Sequence, residues 1–108
     1  MRNEDLEDML INKFDQYFQK IAKDYVVKSS TNTPFLEMII EMTLYNYYIV
    51  RVNVEKSTIF FSIVQSGFLL QLFKTSLSED DLDAALLTLA NEVKLRIPDK
   101  YLQAKGWE

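Results

Sequence analysis

The feature that most constrains the fold is a run of three consecutive segments rich in β-branched and aromatic residues. The segments are 47–54, 58–64 and 68–74, and each shows the residue preferences of a β-strand. Only residues 55–57 and residues 65–67 separate one segment from the next. Since connections this short join neighbouring antiparallel strands, the sequence predicts an antiparallel meander.

Helical periodicity lies on both sides of this meander. Apolar residues recur at helical spacing over residues 4–25, which predicts an amphipathic N-terminal helix. A second helix is expected to begin after Ser78, because three acidic residues suited to a first helical turn follow it, and to end before Pro98. The segment after Pro98, closed by Gly106, favours one more short turn of helix.

Two segments between the first helix and the meander differ in character. Residues 28–34 are polar and turn-prone, so we expect a loop there. Residues 35–44 fit either a short helix with Pro34 in its first turn or, since their apolar and polar side chains alternate, a strand. The alternation favours the strand. The sequence therefore predicts one α+β domain over residues 1–108, with a meander of three or four strands and a C-terminal helix packed on the sheet.

Composition excludes many kinds of active site. The chain has no cysteine, no histidine and only two glycines. Thiol and Ser-His catalysis, cysteine and histidine metal sites and glycine-rich phosphate loops are therefore all excluded. No motif brings a pair of the remaining acid–base side chains together, so we expect no catalytic residues, no enzymatic activity and no cofactor.

The N-terminal sequence and the apolar runs bear on localisation. The first ten residues, MRNEDLEDML, are acidic and lack the apolar core of a secretory signal. The longest apolar runs are far shorter than a membrane span requires. We therefore expect a cytoplasmic protein with no membrane contact. Its excess of lysine over arginine, 9 to 3, is typical of proteins from AT-rich bacterial or phage genomes.

The strands of the meander carry apolar side chains on both faces. Alternation places on the first face Tyr48, Val50, Val52, Val54, Ile59, Phe61, Ile63, Phe68, Leu70 and Leu72. It places on the second face Tyr47, Ile49, Arg51, Asn53, Phe60, Ser62, Val64, Leu69, Gln71 and Phe73. A half-solvated antiparallel sheet usually alternates more cleanly than this. In one arrangement the two helices cover opposite faces of the sheet, or segment 35–44 folds over the second face. In the other, both helices lie on the first face and the second face is a docking surface.

The docking alternative leads to the functional expectation. A chain with surplus apolar area and few catalytic residue types is expected to be a protein-interaction module, that is, an adaptor, a chaperone or an inhibitor of a partner protein. Its partner is another protein or a second copy of itself, and a homodimer is expected. The residues expected to bind the partner are Tyr47, Ile49, Arg51, Phe60, Leu69, Phe73 and Trp107. Trp107 is either such an anchor or packed on its own chain.

A second functional hypothesis is binding of single-stranded nucleic acid. Aromatic side chains stack on bases and basic side chains pair with phosphates. The residues that suit this role are Tyr45, Tyr47, Arg51, Lys56 and Lys74. The net charge of −4 argues against it, because phosphate binding usually needs a clear basic stripe. Protein binding is therefore the preferred hypothesis.

A cluster of four carboxylates, Glu79, Asp80, Asp81 and Asp83, could in principle bind a divalent cation. The spacing and the glycine of an EF-hand loop are absent. Acidic residues in the first turn of a helix are explained by the helix dipole and by capping. We therefore expect no metal site.

Overall fold

A computed structural model describes residues 3–107 of the protein. Along the chain, one long helix precedes five consecutive strands, and a second long helix and a short helix follow them. The elements are α1 (Asn3–Phe18), a 3-10 turn (Gln19–Ile21), β1 (Ala22–Thr31), β2 (Glu37–Leu44), β3 (Tyr48–Glu55), β4 (Thr58–Gln65), β5 (Phe68–Ser76), α2 (Glu79–Leu95) and α3 (Asp99–Lys105). The α+β class predicted from the sequence is confirmed.

The five strands form one antiparallel sheet in the order β1-β2-β3-β4-β5, so the predicted meander is confirmed. Glu55 pairs with Thr58 and Gln65 pairs with Phe68, which shortens both predicted connections to two residues. Gly67 has a φ angle of 85°, the left-handed conformation that a tight hairpin turn requires. The ambiguous segment 35–44 contains β2 and is therefore a strand.

Strand β1 is additional to the predicted strands. It occupies residues for which the sequence predicts the end of the N-terminal helix and the start of a loop. The N-terminal helix ends at Phe18 rather than near residue 25, because Gln19 has a φ angle of 51° and breaks the helical geometry. Glycine usually supplies this conformation at a helix end, and glutamine gives no such signal in the sequence. The predicted loop at 28–34 is also wrong in its first half, since β1 continues to Thr31 along β2.

Both helices lie on the same face of the sheet. Their buried residues share one hydrophobic core with alternate residues of the three central strands. The helices contribute Leu6, Leu10, Phe14, Phe18, Leu82, Ala85, Leu86, Leu89 and Val93. The central strands contribute Met38, Ile40, Met42, Leu44, Val50, Val52, Val54, Ile59, Phe61 and Ile63. This decides between the two arrangements left open by the sequence: α1 and α2 cover the first face, and β2 lies within the sheet.

The register of β5 changes the predicted facing of Phe73. Phe61 pairs with Phe73, whereas the next residue, Ser62, pairs with Gln71, so Leu72 is an extra residue in β5. Such a bulge reverses the facing of the residues beyond it. Phe73 therefore lies on the helix-covered face, where its ring stacks on that of Phe61 with 5.0 Å between centroids. Its predicted place on the second face is wrong.

The turn between β2 and β3 is packed against the C-terminal part of the chain. Tyr45 has a φ angle of 58°, which is uncommon for a bulky residue, and is only 4% exposed. Its hydroxyl donates to the carbonyl oxygen of Ala90 over 3.3 Å, and the hydroxyl of Tyr101 donates to the Tyr45 carbonyl over 3.1 Å. The Trp107 ring lies edge-on to the Tyr45 ring at 5.6 Å. The residues around α3 thus close this end of the sheet.

Candidate interaction surface

The side of the sheet opposite the helices is here called the open face. Because directly paired antiparallel residues point to the same side, the strand register assigns residues of all five strands to it. Across its middle the open face consists of Val26, Ile39, Glu41, Ile49, Arg51, Asn53, Phe60, Ser62, Val64, Leu69 and Gln71. In the part of the chain that the structure describes, no helix packs against these residues, and most of them are partly or fully exposed.

The apolar side chains of the open face are only half withdrawn from water. Ile49 is 46% exposed and Leu69 is 44% exposed, while Phe60, Ile39 and Val64 are partly buried between their neighbours. These five residues are spread over the four strands from β2 to β5. Soluble monomers seldom leave contiguous apolar patches of more than a few hundred Å² uncovered, which makes these residues a candidate interaction site.

An ion pair lies in the middle of this apolar surface. Glu41 and Arg51 are opposite each other on β2 and β3, and both the Nε and the Nη2 atoms of Arg51 lie 2.8 Å from Oε2 of Glu41. The Glu41 side chain is 13% exposed and that of Arg51 29%, so the pair is partly withdrawn from solvent. Lys28 on β1 approaches the second oxygen, Oε1, at 3.9 Å. The pair holds the guanidinium in one orientation and leaves its remaining N–H donors for another acceptor.

A shallow depression of about 340 Å³ lies beside this ion pair. Its floor and walls combine apolar side chains with amide and hydroxyl groups. The residues that line it are Arg51, Asn53, Glu55, Phe60, Ser62, Leu69 and Gln71. A depression lined mostly by polar groups, with two apolar side chains among them, suits an inserted polar or amphipathic side chain of a partner.

Charge is distributed unequally between the two sides of the sheet. The open face carries both signs in similar number, with Lys23, Lys28, Arg51 and Lys74 against Glu37, Glu41 and Glu55. Helices α1, α2 and α3 carry 11 of the 16 acidic residues and only four basic ones. The open face is therefore close to neutral, whereas the helical side carries the acidic character of the chain.

Four of the seven residues predicted to bind a partner meet on the open face: Ile49, Arg51, Phe60 and Leu69. The structure adds Val26, Ile39 and Glu41 to them. The strand alternation of segment 35–44 could have identified Ile39 and Glu41. Val26 carries no such signal, because the sequence predicts a helix and a loop where β1 lies.

The other three residues predicted for the partner site lie elsewhere. Phe73 belongs to the core face, as described above. Tyr47 lies in the turn before β3, and its ring contacts those of Tyr48 and Tyr101 at 4.8 Å. Trp107 packs on the core beside Tyr45, so it is docked on its own chain and is not presented as a free anchor.

The residues of the nucleic-acid hypothesis do not form one site: Arg51 and Lys74 share the open face, whereas Tyr45 and Tyr47 belong to the turn between β2 and β3. Tyr45 is buried, and burial raises the pKa of its phenol. Arg51 is paired with Glu41, and Lys56 lies in the β3–β4 turn, 4.8 Å above the ring of Phe35. No continuous basic stripe joins these positions on the sheet, so the geometry does not favour this hypothesis.

Two residues of the acidic cluster at the start of α2, Asp81 and Asp83, make local contacts. The Ser78 hydroxyl accepts a hydrogen bond from the backbone N–H of Asp81 over 3.3 Å and thus caps the helix, as the sequence predicts. Hydrogen bonds from Ser76 and then Ser78 lower the pKa of the Asp81 carboxyl. Asp83 lies 2.7 Å from Nζ of Lys13 on α1, and this contact raises the pKa of the lysine.

Comparison with known proteins adds no assignment. The chain matches no protein-family model, no curated protein and no solved structure. Among the helices formed by residues 3–107, none has the length and apolar character to cross a bilayer. The candidate surface is therefore argued from its own geometry.

Proposed function

We propose that the protein is a non-enzymatic, cytoplasmic protein-interaction module, that is, an adaptor, a chaperone or an inhibitor, and that the open face binds another protein. One observation carries the proposal: both long helices pack on the same face of the sheet and leave apolar residues on the other face half exposed. Covering this patch would remove apolar area from water, which is the main driving force of association.

The size of the open face suits a standard protein interface. Five strands spaced by about 4.8 Å, with eight residues of about 3.4 Å each, give the face an area of roughly 650 Å². A stable complex of ordinary size buries about 800 Å² on each partner, so a partner that covers the open face and its rim reaches this size.

The charge pattern indicates the chemistry of the partner. A near-neutral face with one central ion pair fits an apolar surface of low net charge, whose hydrogen-bond acceptor meets the free donors of Arg51. A strongly basic partner would instead be attracted to the acidic helical side. The bound protein is therefore expected to present an apolar patch with few charges.

The test uses a pair of changes confined to the open face. In Ile49→Ser/Phe60→Ser, two apolar side chains at the centre of the face are replaced by polar ones. Leu87→Ser is the matched control, because Leu87 is 56% exposed on α2 and belongs to the helical side. The double variant is expected to weaken capture of the native partner by at least about tenfold, while the control captures it as the wild type does.

Site-specific photo-crosslinking gives a second measurement that is insensitive to a small loss of stability. A photoreactive phenylalanine analogue at position 60 should crosslink to the partner, and the same analogue at position 87 should not. Capture that survives the double change, or equal crosslinking from positions 60 and 87, would place the partner on another surface. Far-ultraviolet circular dichroism and the fluorescence of Trp107, the single tryptophan, verify the fold of each variant.

A further inference from the structure

Three consecutive apolar side chains are exposed on the edge strand β5. Phe68 is 62% exposed, Leu69 44% and Leu70 36%. β5 is the last strand of the sheet, and within residues 3–107 no further strand pairs with its outer edge. The unpaired backbone N–H and C=O groups of such an edge are a template for another strand, and apolar side chains on both sides of it strengthen that tendency.

The path of α2 explains why this part of β5 is uncovered on the helix side as well. Phe68 and Leu70 share the core face with Gln65 and Ile63, their partners on β4. Helix α2 begins directly after β5, but its far end lies over the start of β3, where the hydroxyl of Tyr48 donates to the carbonyl oxygen of Arg96. The helix thus crosses the sheet diagonally and leaves the first half of β5 without a cover.

The opposite edge of the sheet has the features that prevent pairing. β1 carries two register irregularities, between Lys23 and Val26 and between Val27 and Ser29. It also carries charged side chains along its length, including Lys23 and Lys28. Bulges and charges of this kind make an edge strand a poor template. The single bulge of β5, at Leu72, lies beyond its exposed apolar residues. Each chain therefore has one edge segment, the first half of β5, that is ready to pair.

We propose that the occupant of the β5 edge is β5 of a second copy of this chain, paired antiparallel about a two-fold axis. A single available edge allows two copies to associate and then closes the assembly, because each edge is consumed by the other. The pairing is self-complementary, since the exposed part of β5 is apolar in both copies. A ten-stranded sheet results, and its two open faces form one continuous surface.

Charge also favours the antiparallel arrangement over a parallel one. Lys74 is the single charged residue of β5, whereas the acidic first turn of α2 follows closely after its end. Antiparallel pairing of residues 68–70 with the same residues of the other copy places the two acidic turns at opposite ends of the joined strands, more than about 30 Å apart, which is the length of a nine-residue strand. This separation exceeds the Debye length of about 8 Å at physiological ionic strength, so the repulsion is screened. Parallel pairing would place the acidic turns side by side.

This inference is independent of the proposed binding of another protein to the open face, because Phe68 and Leu70 do not belong to that face. The experiment is sedimentation equilibrium of the purified chain from micromolar to about 100 µM, a range that covers the dissociation constants of small interfaces. The wild type is expected to be a dimer. Phe68→Lys/Leu70→Lys puts positive charges on the pairing edge of both copies, so like charges face each other and the dissociation constant should rise by at least about 100-fold.

Two control variants separate this interface from the others. Leu87→Lys, with its change on exposed α2, should dimerise as the wild type does. Ile49→Ser/Phe60→Ser should also dimerise, even if it no longer binds the partner of the open face. A wild type that stays monomeric at 100 µM overturns the proposal. Dimerisation that is lost in the open-face variant but kept in the β5 variant also overturns it, since the second copy would then occupy the open face.

Crosslinking keeps the proposal testable if the charged variant fails to fold. The natural chain has no cysteine, so a thiol introduced by Gln71→Cys on β5 is unique. A short bismaleimide should join two such copies at a concentration where the wild type is dimeric. Leu87→Cys on α2 and Ile49→Cys, on the open face away from β5, are the controls and should give little crosslinked product. Equal yields from positions 71 and 87 would show random collision and contradict β5 pairing.

Discussion

Arg51 holds Glu41 with two of its guanidinium nitrogens, Nε and Nη2, each 2.8 Å from the same carboxylate oxygen. The two residues face each other across β2 and β3, in the middle of a surface that is otherwise apolar. A charged pair at this place fixes the direction of the guanidinium and excludes other orientations of a partner's polar groups. We therefore expect the pair to contribute to specificity in the proposed interaction as well as to the stability of the sheet.

The first prediction concerns this pair. Glu41→Gln removes the carboxylate charge and leaves the partly buried Arg51 without a charged partner. We expect the free energy of unfolding to fall by about 1–2 kcal/mol, between the values typical of exposed pairs and of fully buried ones. Urea unfolding at pH 7 followed by circular dichroism measures the change. Lys28→Gln is the control, because Lys28 is half exposed at 3.9 Å from Glu41, and it should change stability by less than about 0.5 kcal/mol.

A double-mutant cycle with Arg51→Gln isolates the energy of the pair itself. A coupling energy within about 0.3 kcal/mol of zero would contradict the role assigned to the pair, because residues that do not interact behave additively.

The elements predicted from the sequence are those whose signal is local. The 3.6-residue periodicity of α1 and α2 and the alternation in β2 to β4 each express burial against one core, so they are visible without the fold. β1 had no such signal. As an edge strand it is mostly polar, and the helical pattern before it extends by coincidence to Tyr25. The break at Gln19 depends on a left-handed conformation that its residue type does not announce.

The candidate surface could be predicted in its centre but not at its borders. Ile49, Arg51 and Phe60 lie in regular stretches of β3 and β4, where alternation fixes the facing of each side chain. Phe73 follows an extra residue in β5, and nothing in the sequence marks that bulge. Which face the helices cover depends on long-range packing and could not be read from local patterns. The structure shows that both long helices lie on the first face, and the functional proposal depends on this arrangement.

The second prediction tests the position of Phe73. Its ring stacks on Phe61 and packs against the core, whereas Leu69 lies on the open face and is half exposed. Phe73→Ala should lower the free energy of unfolding by about 2–3 kcal/mol, because it removes a large side chain from the border of the core together with an aromatic contact. Leu69→Ala should cost less than about 1 kcal/mol.

Thermal unfolding measures this difference. For a domain of this size each kcal/mol shifts the midpoint by roughly 4–8 °C, so Phe73→Ala should lower the Tm by roughly 8–24 °C. A Tm that falls equally in both variants, or more in Leu69→Ala, would contradict the register given to β5.

The third prediction concerns Tyr25, whose hydroxyl is buried and has no hydrogen-bond partner in the structure of residues 3–107. An unsatisfied buried hydroxyl costs free energy, because it gives up its bonds to water and gains none in return. Tyr25→Phe removes this cost while the ring keeps its packing. We expect the variant to be more stable than the wild type by about 0.5–1 kcal/mol at pH 7. Tyr47→Phe, which alters an exposed phenol, is the control and should have no measurable effect.

The same residue makes stability depend on pH in the alkaline range. Burial, and to a smaller extent the charge of Asp15, raises the pKa of Tyr25 from its ordinary value of 10 to about 12. Below pH 10 the phenol is protonated in both the folded and the unfolded chain, so it adds no pH dependence. Between pH 10 and 12 the unfolded chain loses the proton while the folded chain keeps it, which favours unfolding. The stability of the wild type should therefore fall more steeply over this range than that of Tyr25→Phe. Urea unfolding of both proteins between pH 9 and 11.5 measures the two slopes, and equal slopes would contradict the burial of this hydroxyl.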